Sequence, residues 1–450
     1  MGGVDRARVV ALDKRRVWHP YTPMERYRAE VDPLVVVAAS GSRLRDADGR
    51  VYLDGNASWW TCVLGHGHPR LVEALKRQAD ALCHAALAGI AHEQAAELAE
   101  ALCGAAPAGL EHVFFSDDGS TAVEVALKLA LQYWAQNGRP QRTRFVSLAG
   151  AFHGETLGAT AVGGVEVFRR PFAPVLPACL HLPSPADPEV GLEPALDALE
   201  GALREGADGI AALVLEPVVQ GAAGMRLYDP AYLRRARALC DELDLFLVCD
   251  EVFSGYGRTG PMWACQHAGV SPDLLCTAKG FSGGMLPMAA TLARGRIFDG
   301  FLGAPERAFH YGHTFCGNPL GAAVALEVLR VYQDERILER AKPKAERIAR
   351  AFTALGELPG VARTRALGMI GALDLEGDAG YLAEAGRRVC EEARRRGAYL
   401  RPLGNVVYVT PALNIPDDDL DALLAIVRES VEAVLEKQAP RSGARSQGEA

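Results

Sequence analysis

The chain reads as an α/β protein: a large domain built on a mostly parallel sheet, joined to a smaller α+β domain. Three observations predict this. The segments HVFFS, RFVSL, IAALVLEP, LFLVCDEV, LLCTA and MAATLAR are short apolar runs without polar alternation, the pattern of strands covered on both faces. Helical patterns such as STAVEVALKLALQYWAQNG and PAYLRRARALCDEL separate many of them, so crossover helices follow. Beyond about residue 330 the order changes to strand, strand, helix, strand, strand, helix, which marks a separate unit.

Taken in order, residues 1–65 look irregular and then β-rich, with turns at Gly41 and Asp48-Gly49, and contribute to the small domain and to a pocket. Residues 66–329 carry the alternating strands and helices of the large domain. An amphipathic stretch, NPLGAAVALEVLRVYQDERILERAKPKAERIARAFTAL, leads into the small domain, residues 330–437. The tail 438–450, QAPRSGARSQGEA, is polar and expected to be disordered.

With 450 residues, 49% of them hydrophobic and 23% charged, the chain can bury a large core. Its net charge of −8 argues against an electrostatic hold on nucleic acid, and Arg394, Arg395 and Arg396 read as the solvated face of a helix. The N-terminus lacks an apolar signal core, and no apolar run approaches the ~20 residues that span a bilayer, so no membrane partner and a cytoplasmic location are expected. The ten cysteines are scattered without a Cys-x-x-Cys pair; most, such as Cys249 and Cys276, read as small core residues. GHGHP at 65–69 reads as a turn, its histidines having no acidic or cysteine partner nearby in sequence, and no metal is expected.

Chemistry concentrates where strands end. Asp250 closes LFLVCDEV and Lys279 follows LLCTA, so two buried strands would bring opposite charges to one crevice. A lysine that can form a Schiff base with a cofactor aldehyde, beside an acid that keeps a pyridine nitrogen protonated, suits pyridoxal phosphate chemistry; a structural ion pair is the alternative. Gly119 and Ser120 open a long helix directly after HVFFS, where free N–H groups accept a phosphate or where Asp118 or Ser120 merely caps the helix. GYGRTG at 255–260 matches G-x-G-x-x-G, but it does not directly follow its strand or open a helix, so it is read as a loop bringing Tyr256 and Arg258 to the crevice. Phe152, beside His153, either covers a flat ring or belongs to the core. Trp18, Tyr21, Trp59 and Trp60 form either core or the wall of a pocket for an elongated, partly apolar substrate.

With these residues in place, the chain resembles the class III aminotransferases of pyridoxal phosphate fold type I over nearly its whole length. WHPYTPM, DGNASWW, DGSTAVEVALKLALQYW, EPVVQGAAGM, DEVFSGYGRTG, CTAKGFSGG, GHTFCGNPL and RPLGNVVY occur in the family's order. The tryptophan pair and RPLG set it with the branch that converts 8-amino-7-oxononanoate to 7,8-diaminononanoate in biotin synthesis, apart from the ornithine and γ-aminobutyrate branches.

The resemblance implies that Lys279 carries the cofactor, Asp250 pairs with its pyridine nitrogen, and Gly119, Ser120 and Thr314 hold its phosphate. Thr314 and its neighbour His313 would come from the other subunit of a homodimer. Phe152 and Val252 would flank the ring, with Gln220 near its hydroxyl. Tyr21, grouped with Lys279 and Asp250 as catalytic, would line the substrate channel with Trp59, Trp60, Phe152 and Gly312, and Arg401 would hold the substrate carboxylate. Phe152 stands where this branch commonly has tyrosine, and His313 where its best-known members have proline before the threonine. S-adenosylmethionine is the implied amino donor, with lysine the alternative. The rivals are another ω-aminotransferase, a decarboxylase or racemase on the same fold, and a binding protein without catalysis.

Overall fold

The computed structural model describes residues 4–377, 380 and 382–438. The tail expected to be disordered lies outside the described residues from 439 onward.

Seven strands form the central sheet, in the order Leu110–Ser116, Ala289–Arg294, Leu274–Thr277, Phe246–Asp250, Ile210–Leu215, Arg144–Leu148, Cys179–Leu182. The last five named are parallel to one another. Alternation along them builds two cores: Leu213, Leu215, Leu247, Cys249 and Leu275 join one cluster, while Ala212, Val214, Phe246, Val248 and Leu274 join the other. Each such Leu, Val or Phe contributes about 1.5–3 kcal/mol on burial. The apolar runs lack polar alternation because both faces are covered, one of them by the helix Gly119–Gln136.

Ala289–Arg294 departs from the parallel pattern, being antiparallel to both Leu274–Thr277 and Leu110–Ser116. Parallel return needs a crossover helix. The connection from Thr277 holds only the short 3₁₀ turn Lys279–Ser282, so the chain doubles back.

Beyond the helices Pro319–Asp334 and Ile337–Leu355, Val361–Leu367, Ile370–Leu375 and Val406–Val409 form an antiparallel sheet, accompanied by the helices Ala385–Arg395 and Asp417–Gln438. A further sheet joins distant parts of the sequence: Val36–Ser40, Arg43–Asp46 and Val51–Asp54 form a meander, and Ala398–Tyr399 adds parallel to Val51–Asp54. That pairing sets Arg401, two residues beyond Tyr399, beside the segment that follows Asp54.

Three expectations need correction. The start of the chain is helical, not irregular: Arg6–Arg16 is capped by Asp5, whose side chain accepts the Arg8 N–H, and Met24–Glu30 follows. Neither shows a clear apolar stripe; Arg6–Arg16 buries no residue, and its stop is marked by Lys14, Arg15 and Arg16 in the last turn. GYGRTG does not bring Tyr256 and Arg258 to the crevice. Both are fully buried, and Arg258 Nη1 donates to the Pro411 carbonyl at 2.7 Å, tying the loop to the C-terminal part of the chain. The histidines of GHGHP do have acidic partners, His66 with Asp54 at 2.8 Å and His68 with Glu335 at 3.4 Å. No group of three or more metal-binding side chains occurs among the described residues, and no helix among them is long and apolar enough to cross a membrane.

Candidate active site

A cavity of about 540 Å³ opens at the carboxyl ends of Phe246–Asp250 and Leu274–Thr277, lined by Asp250, Val252 and Lys279. This edge is where open α/β sheets bind ligands, because the strands end and their loops diverge. Lys279 has φ +50°, an uncommon conformation for a side-chain-bearing residue, at the point where the chain turns back. It keeps some surface, yet the protein packed around it lowers its pKa to about 8, against the opposing pull of Asp250 and Glu216. Its Nζ lies 4.6 Å from the centre of the Trp60 ring.

Asp250 is held from two sides. Oδ1 accepts the Val252 N–H at 3.0 Å, and Oδ2 is 2.8 Å from His153 Nδ1, whose Nε2 is 3.4 Å from Ser147 Oγ. A second carboxylate, Glu216, closes the neighbouring strand and accepts N–H groups from Phe152 at 3.0 Å and Gly221 at 2.9 Å. Burial, reinforced by Asp250, raises its pKa to about 7, against the opposing effect of His153 and the two N–H groups.

The helix Gly119–Gln136 points its N-terminus at the cavity. Asp118 caps it by accepting the Thr121 N–H at 3.0 Å, which leaves the earlier N–H groups of this 18-residue helix for another acceptor. Gly119 presses against Val252 so closely that a Cβ would meet Cγ1 at 2.7 Å. Ser120 Oγ accepts the Glu155 N–H at 2.9 Å.

The opposite wall comes from the N-terminal segment. Ala57, Ser58, Trp59 and Trp60 all have positive φ, at 45°, 45°, 62° and 75°, a left-handed turn costing about 1–2 kcal/mol per residue. Asp54 offsets this by accepting N–H groups from Asn56 and Ser58, at 3.1 and 2.7 Å. The turn presents Trp60 to Lys279 and Trp59 to Arg401, whose guanidinium carbon is 3.5 Å from the Trp59 ring centre. Tyr21 meets Trp59 edge-on at 5.5 Å, and its hydroxyl donates to Glu155. Phe152 also lines the cavity.

The cavity therefore unites Tyr21, Trp59, Trp60, Gly119, Ser120, Phe152, Asp250, Val252, Lys279 and Arg401. Four expected residues are not among its lining. Gln220 is buried behind it, accepting from Ser184 Oγ at 2.7 Å and donating to the Ala149 carbonyl at 3.1 Å. Gly312 and Thr314 are exposed on a separate segment, and His313 between them is 3.4 Å from Asp117, which does line the cavity. The sequence reading assigned no role to Asp54, Glu155 or Glu216 and gave His153 none beyond its place beside Phe152. Glu216 carries the same signal as Asp250, an acid closing an apolar strand. Asp54 precedes Asn56 and Ser58 by the two- and four-residue spacings of a side chain capping its own turn.

A family model described as Aminotransferase class-III matches residues 26–431. The chain belongs to that family. This aminotransferase is 43% identical, over 96% of its own length and 82% of the relative's, to an adenosylmethionine-8-amino-7-oxononanoate aminotransferase of Nitratidesulfovibrio vulgaris. A protein of the same description from Geobacter sulfurreducens is 41% identical, covering 94% of this chain and 97% of the relative. Among solved structures, the so-named enzyme of Methanocaldococcus jannaschii superposes with a TM-score of 0.91 at 35% identity, covering 95% of this aminotransferase and 99% of that chain. An (S)-enantioselective omega-transaminase from Thermomicrobium roseum gives 0.91 at 31% identity, with 97% and 100% covered. The fold is that of pyridoxal phosphate fold type I, as the sequence predicted.

The family depends on pyridoxal phosphate, and the residues present fit that group. A half-buried lysine of lowered pKa, a buried carboxylate held by two partners, and a helix N-terminus with a glycine where no Cβ has room supply an amine, an acid and an anion cradle around one cavity.

Proposed function

We propose that this aminotransferase binds pyridoxal phosphate and converts 8-amino-7-oxononanoate to 7,8-diaminononanoate with S-adenosylmethionine as amino donor, in cytoplasmic biotin synthesis. The observation that carries the reading is Lys279: an amine of pKa about 8 beside a buried acid, in a cavity whose far wall holds Arg401 on Trp59. The names of the relatives support the choice of substrate.

Bound pyridoxal phosphate supplies the electron sink that loosens a proton on the amine-bearing carbon. Lys279 would hold the group through its amine and, as a free amine, would take up and return the proton at the substrate carbon. Asp250, oriented by His153 and the Val252 N–H, would keep the pyridine nitrogen protonated. Gly119 and Ser120 would hold the phosphate, Phe152 and Val252 would flank the ring, and Gln220 would act near its hydroxyl. Tyr21, Trp59, Trp60 and Gly312 shape the substrate channel, with Tyr21 at the reacting end, and Arg401 binds the carboxylate as a planar two-pronged donor. The working unit is a homodimer in which Thr314 and His313 of the partner subunit complete the phosphate site; the exposure of Thr314 and Phe315 on a segment outside the cavity lining supports this.

A single-turnover absorbance experiment tests the proposal. S-adenosylmethionine should bleach the lysine-linked cofactor band, and 8-amino-7-oxononanoate should restore it. Bleaching by lysine alone would transfer the donor role to lysine. The similarity to omega-transaminases favours a second reading, an ω-aminotransferase of broader use; restoration by pyruvate or 2-oxoglutarate but not by 8-amino-7-oxononanoate would establish it.

A further inference from the structure

Behind the tryptophan wall lies a cluster outside the cavity. Asp54, only 2% exposed, accepts the N–H groups of Asn56 and Ser58, the Ser58 hydroxyl at 3.2 Å, and His66 Nε2 at 2.8 Å. The first three partners belong to the strained turn or its entry. His66 does not: its backbone is fixed by a bridge to Gly41, donating to the Gly41 carbonyl at 2.7 Å and accepting the Gly41 N–H at 2.9 Å. Gly65 beside it lies so near Gly41 that a Cβ would meet the Gly41 oxygen at 2.8 Å, so this anchor has little freedom.

We propose that His66 is a positioning residue for substrate binding: from its anchored strand bridge it holds Asp54, and through Asp54 the left-handed turn that lays Trp59 under Arg401. The inference rests on the reading of Arg401 and Trp59 as the carboxylate end of the substrate site. His66 is not itself part of the cavity lining. Its hydrogen bond to Asp54, and next its contact with Cys62 Sγ at 3.7 Å from Nδ1, raise its pKa to about 10, so Nε2 carries a proton at neutral pH and donates it to the buried Asp54. Without it, the buried Asp54 loses the hydrogen-bond donor that is anchored outside the turn. The carboxylate then draws in water or turns away, and four side-chain-bearing residues with positive φ are released toward the right-handed conformations they prefer. Trp59 and Trp60 move with that backbone. Arg401 moves too, because its N–H is bound by Asn56 Oδ1 at 2.7 Å within the same segment.

The test compares His66→Ala and His66→Gln in the full-length, cofactor-loaded enzyme, reading KM and kcat for 8-amino-7-oxononanoate, with near-ultraviolet circular dichroism of the tryptophans as a readout independent of activity. His66→Ala should raise KM about tenfold with kcat within about threefold, the signature of lost ground-state binding, and should alter the tryptophan signal. Glutamine presents an N–H at the place of Nε2 and should return KM to within about twofold of the parent value. An unchanged KM and spectrum in His66→Ala, or a glutamine variant as impaired as the alanine one, overturns the proposal. Should His66→Ala not fold, His66→Asn against His66→Gln carries the same contrast, since both are polar and only glutamine reaches Asp54. Arg401→Ala separates the two readings. If it leaves KM unchanged, the carboxylate assignment fails, and the tryptophan spectrum alone then decides whether His66 holds the turn.

Discussion

The guanidinium of Arg401 lies over the Trp59 ring, its central carbon 3.5 Å from the ring centre and 5.8 Å from that of Tyr21. A cation over a ring face does not use its N–H groups, and among the described residues no side-chain hydrogen bond or ion pair of Arg401 takes them, which suits a carboxylate partner. Arg401→Ala should therefore lower kcat/KM for the keto acid by about 10- to 100-fold, the loss of a charge-assisted pair of about 1.5–3 kcal/mol, mostly through KM. Arg401→Lys should recover only part of it, because an ammonium keeps the charge and loses the fork. Steady-state kinetics of both variants check this, and full recovery by lysine would mean that a point charge suffices.

Gly119 gives a steric prediction. A methyl group there would meet Val252 Cγ1 at 2.7 Å and Cγ2 at 3.1 Å. Either Val252, proposed to bound one ring face, or the start of the phosphate-facing helix must shift. Gly119→Ala should weaken pyridoxal phosphate retention by about tenfold and lower apoprotein stability by about 1–3 kcal/mol, as overpacking does. Titration of the cofactor band and a thermal melt of the apoprotein measure the two effects separately.

Asp250 and His153 form a buried pair 2.8 Å apart, with side chains 5% and 0% exposed. Asp250→Asn keeps the shape and removes the charge that keeps a pyridine nitrogen protonated. It should cut kcat by about 10²–10³-fold while cofactor still binds, since the electrostatic term at the reacting ring is lost. His153→Ala should act more mildly, because Asp250 retains the Val252 N–H. Equal loss in both variants would assign the proton control to the pair as a unit.

Much of this site is legible in the sequence because strand ends announce it. Asp250, Lys279, Gly119 and Ser120 sit at boundaries between apolar runs and loops, and a parallel sheet brings such boundaries to one edge. Glu216 carried the same mark and was passed over. The N-terminal wall was harder. Trp59 and Trp60 were visible as aromatic residues, but their left-handed turn depends on Asp54 and on His66, whose place is set by a bridge to Gly41 that no local pattern encodes. Arg401 reaches Trp59 only because Ala398–Tyr399 pairs with Val51–Asp54, a contact across nearly the whole chain. The missed helix Arg6–Arg16 buries nothing, so it lacks the apolar stripe by which helices are recognised.

Lys279 links pH to cofactor capture. Its pKa is lowered from 10.5 to about 8 by burial, against the opposing pull of Asp250 and Glu216. The neutral amine is the nucleophile, and its fraction grows as pH rises, so the rate at which apoprotein takes up pyridoxal phosphate should climb nearly tenfold per pH unit below 8 and level off above it. An ordinary lysine would keep climbing toward 10.5. Stopped-flow capture kinetics between pH 6 and pH 10 distinguish the two, with Lys279→Ala, which should form no lysine-linked band and sustain no multiple turnover, as the reference. Replacing Glu216 by Gln removes one of the two carboxylates that stabilise the ammonium, so the plateau should begin at lower pH in that variant; a plateau moved upward would show that Glu216 acts on Lys279 by some means other than its charge.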